Sequence, residues 1–379
     1  MRTIAITNAR LIDGTGAEPV EDATLVARGD TIEAVGADVD VPVDARVVDA
    51  EGMTLLPGII DTHQHALWRF RAMRRMQDCL RRGTTTVADV TAGPDGPELR
   101  EAIENDTVRG AARYHVGMVV GCTFGHLHRE DDNVAGIDAD GPWEVRRAVR
   151  QMVQAGADFI KTASSGGFQW AAETPDLRNY TQEELDALAD EAHAWHRKVV
   201  THAHTQPGIS MAIRAGIDMI HHGSYIDDEG LRDLKASGLH FVPTLYITSE
   251  RSFSRTGLPA HMAERMEDAH LPHREGVARA IEMGIPIAVG TDGGAGSAQF
   301  ELQELCACGM TPMQAIEAGT RVAAEALGID EMTGTLEPDK RADLQIVRGD
   351  PLEDIAILED PDAISLVLRD GKAPLVEMA

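Results

Sequence analysis

From Met1 to about Pro57 the hydrophobic positions follow a β period, and no helical spacing intervenes. Thr3 to Thr7 alternates as Thr-Ile-Ala-Ile-Thr, and Thr24–Ala27 and Arg46–Asp49 are further short β-rich runs. Turn clusters, Asp13-Gly14-Thr15-Gly16 and Arg28-Gly29-Asp30, separate them. From Leu55 short apolar runs alternate with longer amphipathic ones, the pattern of repeated βα units. The spacing predicts strands near 54–61, 84–90, 114–120, 157–162, 198–203, 217–222, 239–244 and 286–291. The helices between them carry start signals. Thr181-Gln182-Glu183-Glu184 is a capping box, and Thr311-Pro312-Met313-Gln314 sets a cap residue before proline and glutamine. After about Leu327 the β pattern returns in Ala342–Val347 and Ile364–Arg369, with Arg369-Asp370-Gly371 as a turn.

These elements predict an α/β chain: a (β/α)8 TIM barrel over 58–327, and a small β-sandwich built from 1–57 and 328–379. The helix-rich stretch Ser249 to Met283, after the seventh strand, is placed to cover a pocket at the barrel mouth.

Charge narrows the partners. Acidic residues number 62 against 35 basic ones, a formal net charge of −27, so a nucleic-acid partner is not expected. Such a surface serves solubility, and salt adaptation or a GC-rich genome produces it equally well. No apolar run reaches membrane-spanning length, and Met1 to Arg10 lacks a signal-peptide pattern. The expectation is a cytoplasmic protein without membrane contact. Cys79, Cys122, Cys306 and Cys308 form no disulfide framework or CxxC pair and read as buried free thiols.

The candidate chemistry lies at the strand ends. His63 and His65 close the first strand in Asp61-Thr62-His63-Gln64-His65, and side chains two apart on extended chain face the same way. Both can therefore address one metal. Lys161 ends the fourth strand, His202 the fifth, His222 the sixth and Asp292 the eighth. Each alone is commonplace: a lone HxH is more often incidental, and Thr-Asp-Gly is an everyday turn. Four histidines, a lysine and an aspartate on one rim of one predicted barrel point to a metal site.

The set resembles the binuclear branch of the amidohydrolase superfamily, over essentially the whole chain. Leu56-Pro57-Gly58-Ile59-Ile60-Asp61-Thr62-His63 is similar to that family's approach to its barrel. Gly334-Thr335-Leu336-Glu337-Pro338 through Lys340-Arg341-Ala342-Asp343-Leu344 is similar to its C-terminal signature. Ile160-Lys161-Thr162-Ala163-Ser164-Ser165-Gly166-Gly167, the Tyr180 to Leu185 helix start and His202-Ala203-His204 resemble the prolidase-like and arginine-carboxypeptidase-like group. The resemblance implies two divalent metal ions, with zinc the best fit and manganese or iron also suitable. His63, His65 and Asp292 would hold one, His202 and His222 the other. Lys161, carboxylated by CO2, would bridge them, since an ammonium has no lone pair to offer. Asp292 would shuttle the proton as a metal-bridging hydroxide cuts an amide-type C–N bond. His126, His204 and Tyr225 are substrate-contact candidates, each about as readily structural. Trp170, Arg178 and Tyr246 read as structural. The resemblance also implies a small-molecule substrate and a homo-oligomer.

Departures bear on substrate. His221 stands where the family usually has glutamate, Thr205 follows His-Ala-His where glycine is common, and Phe168 to Asn179 matches no familiar loop. Other readings stay open: hydrolysis of a carbamate, lactone or other xenobiotic ester or amide; a mononuclear deaminase or cyclic-amidine hydrolase, disfavoured by Lys161; or a barrel kept only for binding.

Overall fold

The computed structural model describes residues 3–66, 70–128 and 136–373. Its N-terminal strands are β1 (Thr3–Leu11), β2 (Val20–Arg28), β3 (Thr31–Gly36), β4 (Arg46–Asp49) and β5 (Thr54–Pro57). The barrel strands are β6 (Ile59–Gln64), β7 (Thr84–Asp89), β8 (Arg113–Gly121), β9 (Gly136–Asp138), β10 (Phe159–Ala163), β11 (Lys198–Ala203), β12 (Met219–His222) and β13 (His240–Val242). β14 (Leu344–Val347) and β15 (Ile364–Leu368) return to the N-terminal group.

The terminal sheet runs β15-β14-β5-β1-β2-β3, and β1 is its branch point. Its first half pairs in parallel with β4 and its end with β5, which splits the sheet into two wings. Ile6, Leu25, Ile32, Leu55, Leu344 and Ile346 fill the space between them. Arg113, at the start of β8, joins this sheet to the barrel. Its Nη2 donates to Asp370 Oδ1 at 2.7 Å and Asp343 Oδ2 at 3.2 Å, all three residues being buried.

The parallel sheet runs β6-β7-β8-β10-β11-β12-β13, with β9 beside β8. β6, β7, β10 and β12 are buried along their whole length, as strands packed on both faces are. The expected eighth strand at 286–291 is reduced to single bridges, Phe241 to Ile287 and Gln64 to Gly293. Pro286 has no N–H to give, and Asp292 leaves the extended region at φ 55°, so only a few residues can pair. Backbone bonds from Thr62 N to Val289 O (2.9 Å) and Ala288 N to Phe241 O (3.0 Å) nevertheless close the ring.

Two further differences from the sequence reading have local causes. The run expected as one strand over 54–61 divides at Gly58, where the chain passes from β5 in the terminal sheet to β6 in the barrel. A Cβ at Gly58 would lie 2.1 Å from Thr85 Cγ2, so the crossing requires glycine. β3 and β9 were not foreseen, being short and only partly buried. The capping box of Thr181 with Glu184 forms as read, and the Thr311 cap closes a second box with Gln314. The stretch after β13 holds a short helix, Glu250–Phe253, and a long one, Ala260–Glu282. All four cysteines are free, but Cys306 is only half-buried. Among the described residues no helix is long and apolar enough to cross a membrane.

Candidate metal centre

The barrel rim gathers the polar strand ends into one cavity of about 270 Å³. His63, His65, His126, Lys161, His202, His204, His222 and Asp292 line its floor and sides. His63, His222 and Asp292 bring one potential ligand atom each within 4.8 Å of one another. Asp292 Oδ1 lies 3.0 Å from His65 Nε2 and 3.8 Å from His63 Nε2. The His202 ring lies 4.4 Å from that of His222, centroid to centroid. His202 Nε2 faces the Gly166 carbonyl at 3.2 Å, and His202 is outside the three-residue cluster.

Local bonds hold these rings. Asp61, wholly buried, accepts from His63 N (3.1 Å), Gln64 Nε2 (2.7 Å) and Thr291 Oγ1 (2.9 Å), tying β6 to the segment before Asp292. Burial pushes its carboxyl up to about 6 against those bonds. His65 Nδ1 meets Thr91 Oγ1 at 2.6 Å. His222 Nδ1 meets Thr244 Oγ1 at 2.8 Å, while that hydroxyl donates to Pro243 O at 2.6 Å. With the hydroxyl proton so engaged, His222 Nδ1 must be the donor, and its Nε2 keeps a lone pair. His222, Thr244 and Asp292 all take left-handed φ values, 76°, 55° and 55°. Non-glycine residues rarely adopt them, and such strain collects at functional sites.

Electrostatics favour neutral ligands. Burial first, then neighbouring positive charge, holds His63, His202, His204, His221 and His222 well below the usual imidazole range. Burial likewise lowers Lys161 to about 7, opposed only by Asp292. Lys161 is 1% exposed, and its Nζ and His63 Nε2 are both buried without a hydrogen-bond partner. Unpaired polar atoms are costly in such a place, so a missing partner is implied. Neutral imidazoles, a carboxylate and an amine that burial makes easier to deprotonate fit a divalent cation as that partner.

The substrate-contact candidates separate. His126 stacks on His202 at 3.8 Å between centroids, and its Nδ1 pairs with Glu173 Oε1 at 2.8 Å. His204 lines the cavity, with Nδ1 at 3.0 Å from Ser224 Oγ. Tyr225 instead packs beside Phe168, Met266 and Ala269 and is not among the cavity-lining residues. Trp170 Nε1 donates to His126 O at 3.0 Å, the Arg178 backbone forms a single β-bridge with Ser165, and Tyr246 stacks edge-on against Phe300; none of the three is among the cavity-lining residues. The Ser249 to Met283 stretch supplies Arg255, Met262 and Met266 to the cavity, and the 168–179 loop supplies Phe168 and Gln169; sequence reading marked both segments but singled out none of these residues, nor Ile247 or Glu173. The unfamiliar 168–179 loop was the one signal for Glu173.

Comparison with known proteins follows the same lines. A family model described as "Amidohydrolase family" matches residues 54–373. An ochratoxinase of Aspergillus niger is 31% identical over 413 residues, covering 96% of this chain and 84% of the relative. Among solved structures, a Xaa-Pro dipeptidase with bound methionine in the active site is 28% identical at TM-score 0.87, covering 98% of this chain and 99% of that one. A prolidase complexed with N-methylphosphonate-L-proline is 26% identical at TM-score 0.89, with the same coverage.

Proposed function

The chain belongs to the amidohydrolase family, and from that premise we propose that it is a binuclear metal-dependent hydrolase of small amides, cutting a C–N bond in a dipeptide, an N-acyl amino acid or a related compound. The observation that carries the reading is the buried, unpartnered Lys161 amine in the same cavity as the His63, His222 and Asp292 cluster.

His63, His65 and Asp292 would hold one metal and His202 and His222 the other, zinc being the best match to these donors. When bound, the metals supply an activated water at neutral pH and a Lewis acid for the scissile carbonyl. Burial makes Lys161 partly neutral near pH 7, so its Nζ can add to the carbon of CO2 and release a proton, leaving a carbamate. The Asp292 carboxylate is the base that takes the proton from water and returns it to the leaving nitrogen. Phe168, Ile247, Met262 and Met266 limit water above the site.

The three-residue cluster favours one second reading, a single-metal site with deaminase or cyclic-amidine chemistry. Metal analysis separates the two: near two ions per chain supports the binuclear reading, near one the other. The decisive assay is amino-acid release from dipeptides and N-acyl amino acids, with zinc or manganese and bicarbonate present. Absence of release with both metals bound would move the target to carbamates, lactones or other esters.

A further inference from the structure

The roof of the cavity is built from the segment after β13, and its arginines are nearly all engaged. Arg251 pairs with Glu359 and Arg274 with Glu304. Arg279 donates to Asp228 Oδ1 at 2.5 Å and to Ile226 O at 3.1 Å. Arg265 fastens the opposite loop, donating to the carbonyls of Phe168, Trp170 and Ala171 at 3.4, 2.8 and 3.0 Å. Arg255 is the exception. Its Nε donates to Ser252 O at 3.2 Å, which fixes the stem. Among the described residues, neither terminal nitrogen has an acidic or carbonyl partner.

Arg255 is itself exposed to solvent, and an unpaired arginine elsewhere on the surface would mean little. This one lines the metal cavity, in a chain of net charge −27 where acidic partners are abundant. Apart from Lys161 on the floor, it is the only lysine or arginine among the cavity-lining residues described. Phe168, Ile247, Met262 and Met266 share the lining with it. The cavity is thus polar and metal-binding at the floor, apolar along one wall and cationic at one point. A guanidinium with two free nitrogens matches a planar carboxylate by paired hydrogen bonds.

We propose that Arg255 is a specificity-determining residue that grips a carboxylate on the substrate, while Phe168, Ile247, Met262 and Met266 receive a bulky apolar group. The inference rests on the amide-hydrolase reading and names its substrate class: amides that carry both a free carboxylate and an aliphatic or aromatic side chain. Neutral amides of the same shape leave the Arg255 fork unanswered and are poorer substrates.

The test uses the metal-loaded full chain and matched pairs: N-acetylated phenylalanine, leucine and glycine, each against its C-terminal carboxamide. Wild type is expected to prefer the acids, phenylalanine and leucine above glycine. In Arg255→Met the acid-over-amide preference should fall by about 10- to 100-fold, mostly in KM, the range of a charged hydrogen bond. Arg255→Lys should restore part of it. Equal loss on acid and amide, no loss, or a wild-type preference for the amide would overturn the proposal.

Failure of the underlying reading shows itself differently, as no turnover of either series by the wild type. A binding arm then decides for Arg255, with calorimetric titration of 3-phenylpropionate against 3-phenylpropionamide. Tighter binding of the acid, lost in Arg255→Met, supports the residue's role whatever bond is cut. Equal binding of the acid by both proteins would assign the carboxylate to the metals and end the proposal.

Discussion

His221 and His63 meet Nδ1 to Nδ1 at 2.7 Å, both rings wholly buried. One proton lies between two nitrogens that would otherwise repel. If His63 offers Nε2 to a metal, its Nδ1 carries that proton and His221 accepts it. Ligating histidines commonly hand this second N–H to a carboxylate or carbonyl, which raises their basicity. Here the acceptor is a neutral ring and pulls less. His221→Ala should therefore loosen zinc by about 10- to 100-fold and His221→Glu should tighten it relative to wild type. Chelator competition reads both, and identical zinc retention in the two variants would remove His221 from any control of the ligand.

Lys161→Ala should lose metal and activity together. A short carboxylate such as acetate, added to the variant, is expected to restore part of each, because it can stand in for a carbamate. Elemental analysis alongside turnover decides the matter. Full activity without addition would sink the binuclear reading.

Arg113→Met removes the buried cation between Asp343 and Asp370; Asp343 loses its arginine, while Asp370 keeps Arg341 at 3.2 Å and Arg369 at 3.5 Å. In the present structure the guanidinium holds the Asp370 carboxyl below its ordinary range, against the effect of burial. The variant should lose about 3–5 kcal/mol of stability, the usual cost of breaking a buried pair from one side. Urea unfolding checks this, and a loss below about 1 kcal/mol would mean the sheet and barrel are joined chiefly by apolar contact.

Acid should weaken the fold through its buried histidines. His273 has no exposure, and burial lowers it from the ordinary 6.5 to about 4. The unfolded chain thus binds a proton at a pH where the folded one does not. Stability from this group is complete above about pH 6.5 and is lost as pH falls toward 4, with an upper limit of about 3 kcal/mol. Metal-free protein should therefore show falling urea midpoints from about pH 7 to 5.5, and a shallower slope in His273→Gln. Parallel slopes in the two proteins would contradict the assignment.

What the sequence disclosed depended on how regular each signal was. Seven barrel strands stood out because their buried runs are continuous. The eighth did not keep its expected form, since Pro286 and the left-handed Asp292 shorten it in ways an apolar run conceals. The His63 to Asp292 set was legible because strand ends are fixed by the barrel, and the rim brings those side chains to one cavity. Tyr225 was offered as a substrate contact on proximity in sequence to His222; it packs against the apolar cluster of Phe168 and Met266, which line the cavity, but is not itself among the lining residues. Glu173 and Arg255 sit on connections whose course depends on tertiary contacts, which no periodicity reports.

The pairing of β14 with β5 joins Leu344 to Pro57, and Gln345 Nε2 reaches Pro57 O across a sequence separation of 288 residues. A ribosome releases β5 long before its neighbour exists. Until then the nascent chain exposes an apolar strand edge, a template for wrong partners. The terminal sheet is therefore among the last parts to be completed during synthesis, and the barrel between its halves must fold with that edge still open. Late truncations would thus harm solubility out of proportion to the few residues they remove, although the histidine-lined rim lies upstream of them.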